Sequence, residues 1–113
     1  MKSKSYAALA AAAALGAILG SGSPTARAEA ATGLALAQQE NCMSCHSVTR
    51  QFMGPALHDV ATRYADHEDA AVYLKRKILD GSAGVWGVVP MPANTQLTPD
   101  QAATLATWIL TLK

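Results

Sequence analysis

The chain has few of the residues that build a large core. Its 113 residues include one Phe, two Trp and three Tyr, and charged side chains make up only 15%. Two cysteines are too few for a disulfide-laced scaffold, and a bond between Cys42 and Cys45 would close a tiny loop and remove little unfolded-chain entropy. Neither sign of charge dominates, with nine basic against eight acidic residues. Lys75-Arg76-Lys77 is the only basic cluster, which reads as a solvated helix face, so nucleic acid is not an expected partner. Nor is there an apolar run of the roughly 20 residues needed to span a bilayer. The stretch Ala7 to Leu19 is shorter and rich in Ala.

That stretch fits a secretory leader. Lys2 and Lys4 precede it, Gly20 to Pro24 break it, and Ala26-Arg27-Ala28 supplies an A-x-A cleavage site. Residues 1–28 are therefore expected to be a signal peptide, with export to the periplasm and no stable membrane insertion after cleavage. Residues 29–113 remain as one 85-residue domain with six basic and eight acidic residues, a net charge of −2. A domain of this size buries only about two-thirds of its unfolded surface and is marginal without reinforcement.

The reinforcement is written at Cys42-Met43-Ser44-Cys45-His46, a C-x-x-C-H sequence that is the attachment signature of a c-type haem. Two sulfurs at short separation can form thioethers to the porphyrin, and the adjacent imidazole then lies under the iron. A tetrahedral zinc site is the rival reading, with Cys42, Cys45, His46 and a further His. Adjacent Cys45 and His46 cannot easily share one tetrahedral ion, so haem c, one per chain, is the expected cofactor.

Around the motif the periodicity is helical. A short helix is expected from Ala30 to about Glu40. Gly54-Pro55 breaks the chain, with Pro55 in the first turn of a helix covering about Ala56 to Tyr64. Asp66 is the expected N-cap of a third helix, carrying Ala71, Leu74 and Ile78 and stopping at Gly81. Gly81 to Pro92 is apolar yet rich in Gly and Pro, so it forms neither helix nor central strand and needs something to lie against. Thr98, Pro99 and Gln101 open the last helix with a capping box, followed by the stripe Ala102, Leu105, Ala106, Ile109 and Leu112 with Trp108 beside it. The fold class is all-α, with about four helices wrapped around one covalently attached haem.

A second axial ligand must come from elsewhere. Met43 is trapped between the cysteines, and Met53 is placed to line the haem edge. Met91, between Pro90 and Pro92, is far enough along the chain to reach the iron, and its prolines restrict the loop. His58 and His67 compete but read as surface or edge residues. His46 and Met91 are thus the expected iron ligands, a pairing that raises the reduction potential.

These motifs, with Gly54-Pro55-Ala56, Gly81 to Gly87, Pro90-Met91-Pro92, Asn94 and the Ala-Thr-Trp of the last helix, resemble the small bacterial class I cytochromes c of the c-551 type. The resemblance spans essentially all of residues 29–113. It implies that the Pro55 carbonyl accepts from His46 Nδ1, that the Asn94 amide donates to the Met91 sulfur, and that Trp86 and Arg63 bond a haem propionate. It also implies that Trp108 crosses the N-terminal helix beside the haem. The implied function is one-electron carriage, not catalysis, between redox protein partners such as a cytochrome bc1-type donor and a reductase or oxidase acceptor. A monomer is the default for such a shuttle. A haem subunit of a larger complex, or a peroxidase- or sensor-like haem protein, is the alternative. Lysine is sparser than in the family, and Gln51, Phe52 and Met53 after the motif are uncharged, so the docking surface need not follow the family pattern.

Overall fold

The structure is a computed structural model that describes Gly16 and residues 24–113. The remainder of the expected leader lies outside the described residues. Four helices follow in order: α1 (Pro24–Gln39), α2 (Leu57–Tyr64), α3 (Ala70–Asp80) and α4 (Pro99–Leu110), with a 3-10 turn at Cys42–Ser44. Among the described residues there is no strand, only an isolated antiparallel bridge between Ser82 and Met91. No described helix is long and apolar enough to cross a membrane.

α4 is the hub against which the other three helices pack. Its start follows from local chemistry: Thr98 Oγ1 accepts from Gln101 N at 3.2 Å, and Gln101 Oε1 accepts from Thr98 N at 2.9 Å. Ala102, Leu105, Ala106, Trp108 and Ile109 are buried as the stripe requires. They meet Leu57, Val60 and Tyr64 of α2, Leu74 and Ile78 of α3, and Ala37 of α1 in one core. Leu112 lies beyond the end of α4 and is half-buried.

α1 crosses α4 where Gly33 meets Trp108. A Cβ at Gly33 would lie 2.6 Å from Trp108 Cδ1, closer than real contacts allow, so only glycine lets the backbones approach this far. α1 begins at Pro24, upstream of the expected Ala30, and the expected cleavage point after Ala28 falls within it.

Two helix starts differ from expectation. α2 begins at Leu57 with Ala56 at its N-cap, so Pro55 precedes the helix. No side chain caps it. Instead Leu57 N donates to Ser47 O and His58 N to Val48 O, both at 2.9 Å, so the chain just after the motif satisfies the orphan donors. α3 begins at Ala70 with Asp69, not Asp66, at the N-cap position, and the Asp69 side chain makes no capping bond. Residues 66–69 stay in a turn held by His67 N to Tyr64 O at 3.1 Å and Ala70 N to His67 O at 3.2 Å. Gly81 ends α3 as expected: its φ of 77° is left-handed, and its N donates to Lys77 O at 2.9 Å.

Candidate functional site

The motif is delivered by a sharp bend. Asn41, the one described non-glycine residue with positive φ (62°), turns the chain out of α1; Asn tolerates this conformation better than most residues. Its carbonyl accepts from Ser44 N at 3.2 Å and Ser44 Oγ at 2.7 Å, and Cys42 O accepts from Cys45 N at 3.2 Å and His46 N at 3.0 Å. This tight turn brings Cys42, Cys45 and His46 onto one short piece of backbone. Both cysteines are free of disulfide and half-buried. Burial pushes the Cys42 thiol above its ordinary value.

His46 Nδ1 lies 2.8 Å from Pro55 O. A carbonyl oxygen can only accept, so Nδ1 carries a proton, and in the neutral ring the lone pair is then on Nε2. The expected Pro55 contact is therefore present, and it leaves the imidazole in the tautomer that binds a metal.

Met91 is held by backbone. Ser82 N donates to Met91 O at 3.0 Å and Met91 N to Ser82 O at 2.8 Å, closing residues 82–91 into a loop. Asn94 anchors the downstream end, with N and Nδ2 both donating to Ile78 O, at 3.2 and 2.9 Å. Here the structure departs from the resemblance: the Asn94 amide takes the Ile78 carbonyl near the end of α3 as its acceptor, not the Met91 sulfur. The physical reason is that helix C-termini leave carbonyls without intrahelical partners.

Arg63 and Trp86 come together. Arg63 Nη1 donates to Val85 O at 3.2 Å, and its guanidinium lies 4.4 Å from the Trp86 ring centroid. That distance is within cation–π range. Such a stack keeps the two side chains side by side and leaves further guanidinium donors for an anionic group.

Part of this set borders a cavity of about 500 Å³, within the roughly 300–1,000 Å³ of ligand pockets, whereas Arg63 lines neither this cavity nor the smaller one beside it. Cys45, His46, Pro55, Trp86 and Met91 line it together with apolar side chains. A second cavity, of about 90 Å³, shares Cys45, His46 and Met91 with it and adds Cys42, Asn94 and Trp108. An apolar cradle bordered by two free thiols, an imidazole with an available Nε2 and a thioether fits a covalently bound haem. Zinc does not fit: among the described residues no group of three or more His, Cys, Asp or Glu could hold a metal ion. His58 and His67 line neither cavity. His58 Nδ1 lies 2.7 Å from Leu112 O, and His67 sits edge-on to Tyr64 at 5.2 Å, so both are peripheral as expected.

Several site residues were not singled out from sequence. Lys77 lines the large cavity beside Tyr64 and Tyr73, with its Nζ 5.4 Å from the Tyr73 ring. Its place next to Ile78 and three residues after Leu74, both buried, was the available signal that it leaves the solvated face. Burial, then the neighbouring Tyr73, pushes the Tyr64 phenol above its ordinary value, so it remains a neutral hydroxyl at neutral pH.

The cytochrome c family profile matches residues 30–113. Cytochrome c-552 of Nitrosomonas europaea is 54% identical over 78 residues, covering 69% of this chain and 76% of that protein. Cytochrome c-551 of Pseudomonas denitrificans is 45% identical over 82 residues, covering 73% and 99%. The crystal structure of Nitrosomonas europaea cytochrome c552 matches with a TM-score of 0.70 at 52% identity, over 71% of this chain and 99% of that one. The chain thus belongs to the cytochrome c family as a small bacterial class I cytochrome of the c-551 type, an all-α haem c electron carrier and not an enzyme, its two cysteines fitting the covalent attachment motif.

Proposed function

We propose that this chain is a periplasmic one-electron shuttle with His46 and Met91 as the two axial ligands of its haem iron. The observation that carries the reading is the His46–Pro55 hydrogen bond, because in the neutral ring it makes Nε2 the electron-pair donor, beside a cavity that His46 and Met91 both line. Haem iron with both axial positions filled supplies one-electron exchange and leaves no site for a small reactant. The chain's own residues do the rest. Pro55 fixes the imidazole and increases its basicity. The Ser82 bridge and Asn94 restrict the loop that presents Met91. Arg63, Lys77 and Trp86 offer cationic and donor groups to the acidic substituents.

At the cavity mouth Phe52 is 62% exposed, Met53 54%, Val88 98% and Val89 58%. An exposed apolar patch of this kind suits a small transient contact with a redox partner that has a matching apolar surface. A bc1-type donor and a reductase or oxidase acceptor are the proposed partners, with the carrier acting as a monomer. Residues 1–28 are proposed to be removed on export, giving a mature protein that begins at Glu29.

Two measurements test this. The ferric protein is expected to show the far-red absorption of sulfur-ligated iron, which Met91→Ala abolishes; retention of the band in that variant refutes the ligand assignment. Intact mass of the exported protein is expected to equal residues 29–113 plus one haem, and retention of Met1 refutes the export reading.

A further inference from the structure

Gly54 has no conformational need to be glycine. The described glycines with left-handed φ are Gly81, Gly84 and Gly87; an alanine at 54 would meet no backbone penalty of that kind. What forbids a side chain is the His46 ring. A Cβ at residue 54 would lie 2.6 Å from His46 Cε1, 2.9 Å from Nδ1 and 3.1 Å from Nε2. These are ring atoms of a side chain with no freedom to retreat, because Nδ1 is bonded to Pro55 O at 2.8 Å. The glycine is equally fixed: its N donates to Cys45 O at 2.8 Å, and its O accepts from Phe52 N at 3.0 Å. The strand of chain carrying Gly54 and Pro55 is thus pinned to the motif's own backbone and laid against the imidazole.

From this close approach we infer that Gly54 is a positioning residue for His46. Its bare Cα face sets the rotation of the imidazole about Cβ–Cγ, and with it the alignment of Nδ1 toward Pro55. The inference rests on the reading of His46 as an iron ligand. A methyl at 54 would turn the ring or lift residues 54–55, and either movement lengthens the Nδ1–H···O bond. A ligand whose Nδ1 proton is less engaged is a weaker base, so the ferric form is less favoured and the midpoint potential rises.

The test uses the haem-loaded protein and its Gly54→Ala variant, with Asp69→Ala as the control. Asp69 is exposed at the start of α3, makes no side-chain capping bond and lines neither cavity. In the unmodified protein a nuclear Overhauser contact between Gly54 Hα and His46 Hε1 is expected. In Gly54→Ala the His46 Nδ1 proton should exchange with solvent about tenfold faster, the change that loss of one neutral hydrogen bond supports. The ferric g values should shift and the midpoint potential should move upward, with both thioether bonds intact by mass. Asp69→Ala should leave the exchange and the g values unchanged. Absence of the Overhauser contact overturns the inference even if Gly54→Ala cannot be loaded with haem. Wild-type exchange and g values in Gly54→Ala, or equal changes in Asp69→Ala, also overturn it. Failure of the haem reading would be seen separately, as a colourless protein without ferric signal whose Overhauser contact can still be read.

Discussion

Replacing Gly33 by Ala opposes two effects of similar size, and the structure decides between them. Helix propensity alone favours the change by about 1 kcal/mol, since Gly33 lies inside α1. Against this, the new methyl would fall on the Trp108 side chain, 2.6 Å from Cδ1 and closer still to Cγ and Cβ. Overpacking a filled core costs about 1–3 kcal/mol. The upper part of that range applies because the obstacle is a rigid indole, 6% exposed, whose neighbours Leu105 and Ile109 are themselves buried. The net expectation is a loss of about 1–2 kcal/mol. With a urea slope of about 2 kcal/mol/M, the unfolding midpoint falls by about 0.5–1 M. Trp108 also borders the small cavity with Cys42 and His46, so the haem absorption should shift slightly in the same variant. A midpoint equal to or above that of the unmodified protein would refute the close-crossing argument.

Other perturbations follow from the same contacts. Thr98→Ala breaks a two-bond capping box and should cost about 1 kcal/mol, whereas Asp69→Ala, at a cap with no side-chain bond, should change stability by less than about 0.5 kcal/mol; denaturant midpoints check both. The raised Tyr64 pKa means the folded state holds this proton more tightly than the unfolded chain. Its contribution is present below the ordinary tyrosine value of 10.0 and is lost as pH climbs through the higher folded value, so Tyr64→Phe should flatten the alkaline fall of stability in a pH series of melts. Met91→Ala should make the ferric iron bind cyanide readily and lower the midpoint potential; unchanged voltammetry would contradict its role.

How much of this was legible depended on whether the cause was local. α4 could be read almost to the residue because Thr98, Pro99 and Gln101 act within one turn, and its buried stripe is periodic. The start of α2 could not, since its first donors are satisfied by the carbonyls of Ser47 and Val48, about ten residues upstream. At α3, Asp66 was the expected cap, and nothing in the sequence told that a turn over residues 66–69 would move the start to Ala70. The motif was readable from residue chemistry, whereas the Pro55 contact with His46 came only from the resemblance. Asn94 was misdirected because its acceptor, Ile78 O, is sixteen residues upstream near the end of α3. Lys77 and Gly54 needed the third dimension: one emerges into a cavity from a run that looks solvated, the other matters for the space it leaves empty.

The central claim is that His46 and Met91 close both axial positions of a thioether-bound haem. The visible and near-infrared spectrum of the purified ferric protein tests it most directly. The account predicts low-spin iron with the far-red band of methionine-sulfur ligation. A high-spin spectrum without that band, as for iron carrying water, would contradict it.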